Sequence, residues 1–154
     1  MSVPRAPRPG LVLRVPSRTE FLALVRDVTR RMAEVAGFDP AQAEPLALAV
    51  DEAVTNVIEH AYAGAGDRAI ELRYWDEADD LRIDVVDDGA TVDPRSIPQV
   101  DLERYASERR TGGLGMHLMA RIMDSVTFRR AARRNVCCLV KRKPAALPAG
   151  GRRP

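Results

Sequence analysis

The stretch AIELRYWDEADDLRIDVVDDG, residues 69–89, decides the fold. Ala69 to Trp75 and Leu81 to Val86 are rich in branched and aromatic residues. The acidic segment Asp76 to Asp80 between them is a turn, so the two runs read as a β-hairpin. Asp87 to Pro98 follows as polar, proline-bearing loop. On the N-terminal side, Leu11 to Val15 reads as a short strand. Ser17-Arg18-Thr19-Glu20 has the capping-box pattern, with Ser17 as N-cap. Phe21, Leu24, Val25, Val28, Met32 and Val35 then recur at helical spacing, and Gly37 ends that helix. Asp39 and Pro40 open a second helical stretch. Pro45 removes a helix hydrogen bond, so the main second helix is expected from Glu44 or Pro45 to about Tyr62. On the C-terminal side, Val100 to Arg110 is expected to hold a short helix, with its charge and the following Thr111-Gly112-Gly113 pointing to mobility. Leu114 to Asp124 forms a third clear one, with Leu114, Leu118, Ile122 and Met123 on one side. Val126 to Arg130 and Val136 to Lys141 make a last hairpin. The order strand, two helices, hairpin, helix, hairpin packs most economically as an α/β (α+β) two-layer sandwich, with helices on one face of a mixed, mostly antiparallel sheet.

The 154 residues suit one domain with a real core, expected over residues 11–143. Residues 1–10 and the Pro-, Ala- and Gly-rich residues 144–154 are expected to be disordered tails. No apolar run approaches the roughly 20 residues of a membrane span, and the N-terminus lacks the apolar core of a secretory signal. The expectation is a cytoplasmic protein. The net charge of +2 owes much to Arg5, Arg8, Arg152 and Arg153 in the acid-free tails. The rest of the chain carries 20 bases against 22 acids. The best basic cluster, Arg129, Arg130, Arg133 and Arg134, flanks the last hairpin turn. With 22 Arg to 2 Lys overall, such a cluster is weak ground for nucleic-acid binding, and none is expected. Cys137 and Cys138 are adjacent, which strains a mutual disulfide and cannot by itself hold zinc. They read as strand residues of a reducing compartment.

Three segments can carry chemistry. On the second helix Leu46, Val50, Ala53, Val54, Val57 and Ala61 share an apolar stripe. Glu52 and Asn56 lie one turn apart on the other side. A solvated face is the plain reading. The sharper one takes Glu52 as a base and Asn56 as a neutral oxygen ligand for a hard cation. His60 sits at the stripe's edge and reads as a partly buried structural residue. Asp87-Asp88-Gly89 puts a carboxylate at a strand end, with a glycine that admits close approach, although Asp-Gly is also ordinary turn chemistry. Thr111-Gly112-Gly113-Leu114-Gly115 opens the third helix, where free N–H groups and the helix dipole favour an anion, with Arg109 and Arg110 just upstream. The alternative there is a flexible loop. The spacing matches neither a Walker loop nor a Rossmann fingerprint.

The order Glu-x-x-x-Asn on a helix, Asp-x-Gly after a strand, then Gly-x-Gly opening a helix resembles the Bergerat-type ATP site of the GHKL ATPases, the group that includes histidine kinases and gyrase. More narrowly, AVDEAVTNVIEHAY (residues 49–62), DDGATVDP (87–94) and GGLGMHL (112–118) with Met123-Asp124 are similar to the three boxes of the bacterial anti-sigma-factor serine/threonine kinases. The likeness runs from Leu11 to Arg142. It implies a Bergerat fold with ATP and Mg²⁺ as cofactors. Glu52 would be the general base, Asn56 would ligate Mg²⁺, Asp87 would accept the adenine amino proton, and Gly89 would give the ring room. Gly113, Leu114, Gly115 and Met116 would line the phosphates, with backbone N–H groups brought up by the glycines. Arg110, or Arg109, would meet the γ-phosphate. Two departures stand out. Thr91 replaces a further glycine of the histidine kinases. Asn135-Val136-Cys137 stands where the family tends to show Gly-x-Thr, placing Cys137 near the adenine.

The resemblance implies an ATP-dependent protein serine/threonine kinase that phosphorylates an anti-anti-sigma partner and sequesters a sigma factor. Related kinases point to a homodimer. The alternative is a regulatory module that binds ATP and never transfers phosphate.

Overall fold

The computed structural model describes residues 9–90 and 114–145. The loop expected to Pro98, the short helix expected over 100–110, Arg109, Arg110, Gly113 and most of both tails lie outside them. The described elements are strand β1 (Leu11–Pro16), a 3-10 turn (Thr19–Phe21), helices α1 (Leu22–Val35) and α2 (Pro40–Asn56), and a π-helical turn (Val57–Ala61). Strands β2 (Ala69–Asp76) and β3 (Asp80–Asp87), helix α3 (Leu114–Ile122), and strands β4 (Ser125–Ala131) and β5 (Arg134–Arg142) follow. The sheet order is β1-β2-β3-β5-β4. All four pairings are antiparallel.

Strand alternation produces the two layers. Ile70, Leu72 and Tyr74 on β2, Leu81, Ile83 and Val85 on β3, and Leu139 on β5 are fully buried and share a core cluster with α1, α2 and α3. The opposite face holds ion pairs instead: Arg73–Glu71 at 2.6 Å and Arg82–Asp84 at 3.1 Å, with Arg82 stacked 4.3 Å over Trp75. Long arginine stems thus cover sheet surface that no helix covers among the described residues.

Helix α2 is the central support. Leu46, Val50, Ala53, Val54 and Val57 of the expected stripe are all buried. The helix begins at Pro40, earlier than the sequence predicts. Asp39 Oδ1 accepts from Gln42 N at 2.8 Å, and Asp39 N donates to the Gln42 side chain at 2.9 Å, a complete capping box. Pro45 sits inside the helix on an exposed face, where the Ala41 carbonyl it leaves unbonded can turn to water. The other expected box is not formed. Ser17 is buried and donates to Ala65 O at 2.5 Å, pinning the end of β1 to a distant loop, while Glu20 pairs with Arg18. Gly37, at φ +99°, closes α1 through Phe38 N–H to Ala33 O and Gly37 N–H to Glu34 O. In α3 the buried seam is Met119 and Met123, flanked by Met116 and Ile122, a rotation from the predicted seam through Leu118.

One buried hydrogen bond joins the helix layer to the sheet. Thr29 Oγ1 donates to Val25 O at 2.8 Å, so at its 2.8 Å contact with Tyr74 the tyrosine must donate. Thr29→Val leaves that buried O–H without an acceptor and should cost about 1–3 kcal/mol. Tyr74→Phe leaves Thr29 bonded and should cost about 0.5–1.5 kcal/mol. Urea denaturation should rank Thr29→Val as the less stable variant; the reverse ranking contradicts the donor assignment.

Candidate functional site

The apolar stripe of α2 faces the core, so its next face points along the layer toward α3. Glu52 and Asn56, one turn apart, both meet the first turn of α3. A Cβ built on Gly115 would run into the Glu52 carboxylate, with Cδ at 3.2 Å. Asn56 Nδ2 donates to Met116 Sδ at 3.8 Å, which turns the amide oxygen toward other partners. Burial raises the Glu52 pKa, and the nearby carboxylates of Asp51 and Glu59 push it the same way. Asp51 itself pairs with Arg26 at 2.8 Å. The first and third segments read from the sequence are thus in contact.

The second segment joins them through the end of α2. The chain leaves Asn56 by a π-helical turn, with Tyr62 N–H bonded to Val57 O at 2.9 Å. This turn brings Ala61 against the chain just after β3. Ala90 N–H donates to Ala61 O at 2.9 Å, and a Cβ on Gly89 would lie 2.7 Å from the Ala61 carbonyl carbon and 2.8 Å from its Cβ. The space kept by Gly89 is therefore filled by Ala61 backbone. The turn also leaves His60 exposed, not half buried as its place on the stripe predicts.

Asp87 ends β3 on the helix side of the sheet and is almost wholly buried. Its Oδ1 accepts from Gly89 N–H at 2.9 Å and from Asn135 Nδ2 at 2.8 Å. Among the described residues Oδ2 takes no hydrogen bond. Asp88 turns away to a network of its own, with Tyr62 Oη at 2.9 Å and Arg68 Nη2 at 2.8 Å. Arg68 and Tyr62 hold the Asp88 carboxyl below the usual carboxylate range. Cys137 pairs with Val85, next to Asp87 on the same face; burial pushes its thiol far up, so it stays neutral. Cys138 faces the other side, and both cysteines are free.

Glu52, Asn56, Gly115 and Met116 therefore form one corner, and Asp87, Gly89, Asn135 and Cys137 a second. The π-helical turn joins the corners. Leu114 opens α3 at the first corner; Gly113, Arg109 and Arg110 lie outside the described residues. Sequence reading passed over Asn135 and Tyr62 as site residues. The motif departure at Asn135-Val136-Cys137 marks the segment, and the β3–β5 register, which sets Asn135 opposite Asp87, shows what Asn135 meets.

The profile of the histidine kinase-like ATPase domain matches residues 15–141. The chain belongs to that family. The serine-protein kinase RsbW of Listeria monocytogenes serovar 1/2a is 34% identical over 120 residues, 75% of this chain and 76% of the relative. RsbW of Bacillus subtilis is 31% identical over 119 residues, 74% of each. A chain in the crystal structure of the SiaB–SiaC complex from Pseudomonas aeruginosa is alike in fold. Its TM-score is 0.59 over 88% of this chain and 91% of that one, at 14% identity. Among the described residues no helix is long and apolar enough to cross a membrane.

The two glycines should respond differently to alanine. Gly89→Ala drives a methyl into Ala61 backbone and should cost about 1–3 kcal/mol in denaturant unfolding. Gly115→Ala meets only the flexible end of Glu52 in a helical position that favours Ala. Its stability should stay within about 0.5 kcal/mol or rise. Equal losses for both variants would contradict the Ala61 contact.

Proposed function

We propose that this protein is an ATP-dependent protein serine/threonine kinase that phosphorylates an anti-anti-sigma protein and holds a sigma factor. The observation that carries this reading is the contact of Glu52 with Gly115 at the N-terminal turn of α3. It sets a carboxylate of raised pKa beside backbone N–H groups that suit phosphate. The family and the serine-protein kinase relatives support the same reading.

The residues fit Mg·ATP by their chemistry. Among the described residues no group of three or more His, Cys, Asp or Glu side chains gathers to hold a metal. A Mg²⁺ here would rest on the Asn56 amide oxygen and on phosphate oxygens. It would neutralise charge on the transferred group. Gly115 and Met116 would present backbone N–H groups to the phosphates. Asp87 Oδ2 would accept from the purine amino group. Glu52 takes the proton from the acceptor hydroxyl as that oxygen bonds to the γ-phosphorus, and ADP leaves with the bridging oxygen.

Glu52→Gln separates base catalysis from binding. It should bind Mg·ATP and the partner nearly as wild type and transfer phosphate at least about 10²-fold more slowly. Because the folded-state pKa of Glu52 is raised, its ionised form opposes folding. That penalty is complete above the folded pKa and vanishes below the ordinary glutamate value. Glu52→Gln should thus be at least as stable as wild type at pH 7, with the difference shrinking on acidification. Wild-type transfer should fall with acid at a higher pH than an ordinary glutamate predicts. Transfer by Glu52→Gln at the wild-type rate would remove Glu52 as base; ATP binding with no transfer by wild type would establish the binding module instead.

Two further variants test the other corners by calorimetry. Asp87→Asn should lose about one to two orders of magnitude in ATP affinity, the worth of a hydrogen bond to a charged group. Asn56→Ala should lose the Mg²⁺-dependent part of binding. Unchanged affinity in either variant contradicts its assignment.

A further inference from the structure

Asn135 is held on every polar atom of its side chain. Its Nδ2 lies 2.8 Å from Asp87 Oδ1, 3.3 Å from Gly89 O and 3.4 Å from Ala90 O, and its Oδ1 accepts from Arg130 Nη1 at 3.1 Å. This fixes the amide's orientation, because a flipped amide would set oxygen against the Asp87 carboxylate and nitrogen against an arginine. Gly89 N–H supplies a second donor to the same Asp87 oxygen. One carboxylate oxygen is therefore clamped by two donors from two chain segments, and the other takes no hydrogen bond among the described residues.

We propose that Asn135 is the positioning residue of the purine pocket: it fixes the Asp87 carboxylate so that Oδ2 meets an exocyclic amino group, and thereby sets the preference for a 6-amino over a 6-oxo purine nucleotide. The inference rests on the reading of this pocket as an ATP site. A carboxylate can only accept, so it attracts the donor at adenine C6 and repels the carbonyl of guanine. That discrimination needs a fixed direction. A carboxylate held only by Gly89 N–H can rotate and offer either oxygen, blurring it. The second clamp comes from a side chain on β5. It lies on the opposite strand at the one register position that faces Asp87.

The test is calorimetry of the full chain with Mg·ATP and with Mg·GTP from pH 8 to pH 5, with circular dichroism as a check of folding. Wild type should prefer ATP. Asn135→Ala should weaken ATP about tenfold and GTP less than about twofold, so the ATP:GTP ratio collapses. Asn135→Asp is nearly isosteric but sets a second carboxylate against Asp87. It should bind ATP poorly at pH 8 and, relative to wild type at each pH, recover as the pair takes up a shared proton on acidification. Loss of general packing would not produce that recovery. If Asn135→Ala does not fold, the Asn135→Asp pH series decides alone. A wild-type ATP:GTP ratio in Asn135→Ala, or no recovery in Asn135→Asp, overturns the role of Asn135 while the ATP site stands. A wild type that binds ATP no better than GTP overturns the adenine reading, and this role with it.

Discussion

The backbone of Ala61 lies against Gly89, and the site depends on that approach. The two belong to different layers: Ala61 ends the helical run of α2, and Gly89 follows the last residue of β3. Their contact leaves no room for a Cβ at Gly89, and the Ala90 N–H to Ala61 O bond closes it. A regular α-helical ending would wind the same residues more tightly. The π-helical turn widens the last winding, and such insertions are common where a helix serves a site. Tyr62, next along, extends the join by reaching both Ala69 O and Asp88 with its hydroxyl. Burial, with the carboxylates of Asp88 and Asp87, pushes the Tyr62 hydroxyl up to about 12, so it stays protonated.

From this join the electrostatics divide by corner. At the Glu52 corner burial raises the Glu52 pKa, and the nearby carboxylates of Asp51 and Glu59 add to the rise. Arg26 draws off the charge of Asp51, but Glu52 itself abuts the N-terminal turn of α3. Stability alone would favour a neutral residue there. A strong base, or a cation bound nearby, is a reason to keep the acid. At the Asp87 corner the carboxylate is clamped by neutral donors, which orient it without cancelling its charge. One corner thus suits phosphoryl chemistry and the other suits reading a base.

Much of this was legible in the sequence because the strong signals are local. The hairpin around Asp76 to Asp80, the apolar stripe of α2 and the glycine at the end of α1 each follow from periodicity or turn chemistry within a dozen residues. The misses came where a distant partner overrode a local pattern. Ser17 fits a capping box, yet its hydroxyl meets Ala65, 48 residues away. Pro45 reads as a helix breaker, yet the Asp39–Gln42 box caps the helix upstream of it, and Pro45 lies on a face where water can take the orphan carbonyl. The seam of α3 runs through Met119 and Met123 because these side chains, not Leu118, join the core cluster shared with α2 and the sheet. Glu52, Asn56, Asp87 and Gly115 could be picked out by type and order. Asn135 stood out as a motif departure, but its contact with Asp87 lies in cross-strand register, which a linear pattern does not carry.

In the proposed site both corners hold one nucleotide, with its phosphates at Glu52, Asn56 and Gly115 and its base at Asp87 and Asn135. Amide NMR of the ATP complex with paramagnetic Mn²⁺ in place of Mg²⁺ tests this most directly. The strongest relaxation enhancement is expected at Glu52, Asn56 and Gly115, with a weaker effect at Asp87 and Asn135 and base-induced shifts at Gly89 and Asn135 with either metal. Enhancement centred on Asp87 and Asn135, or shifts confined to one corner, would contradict it.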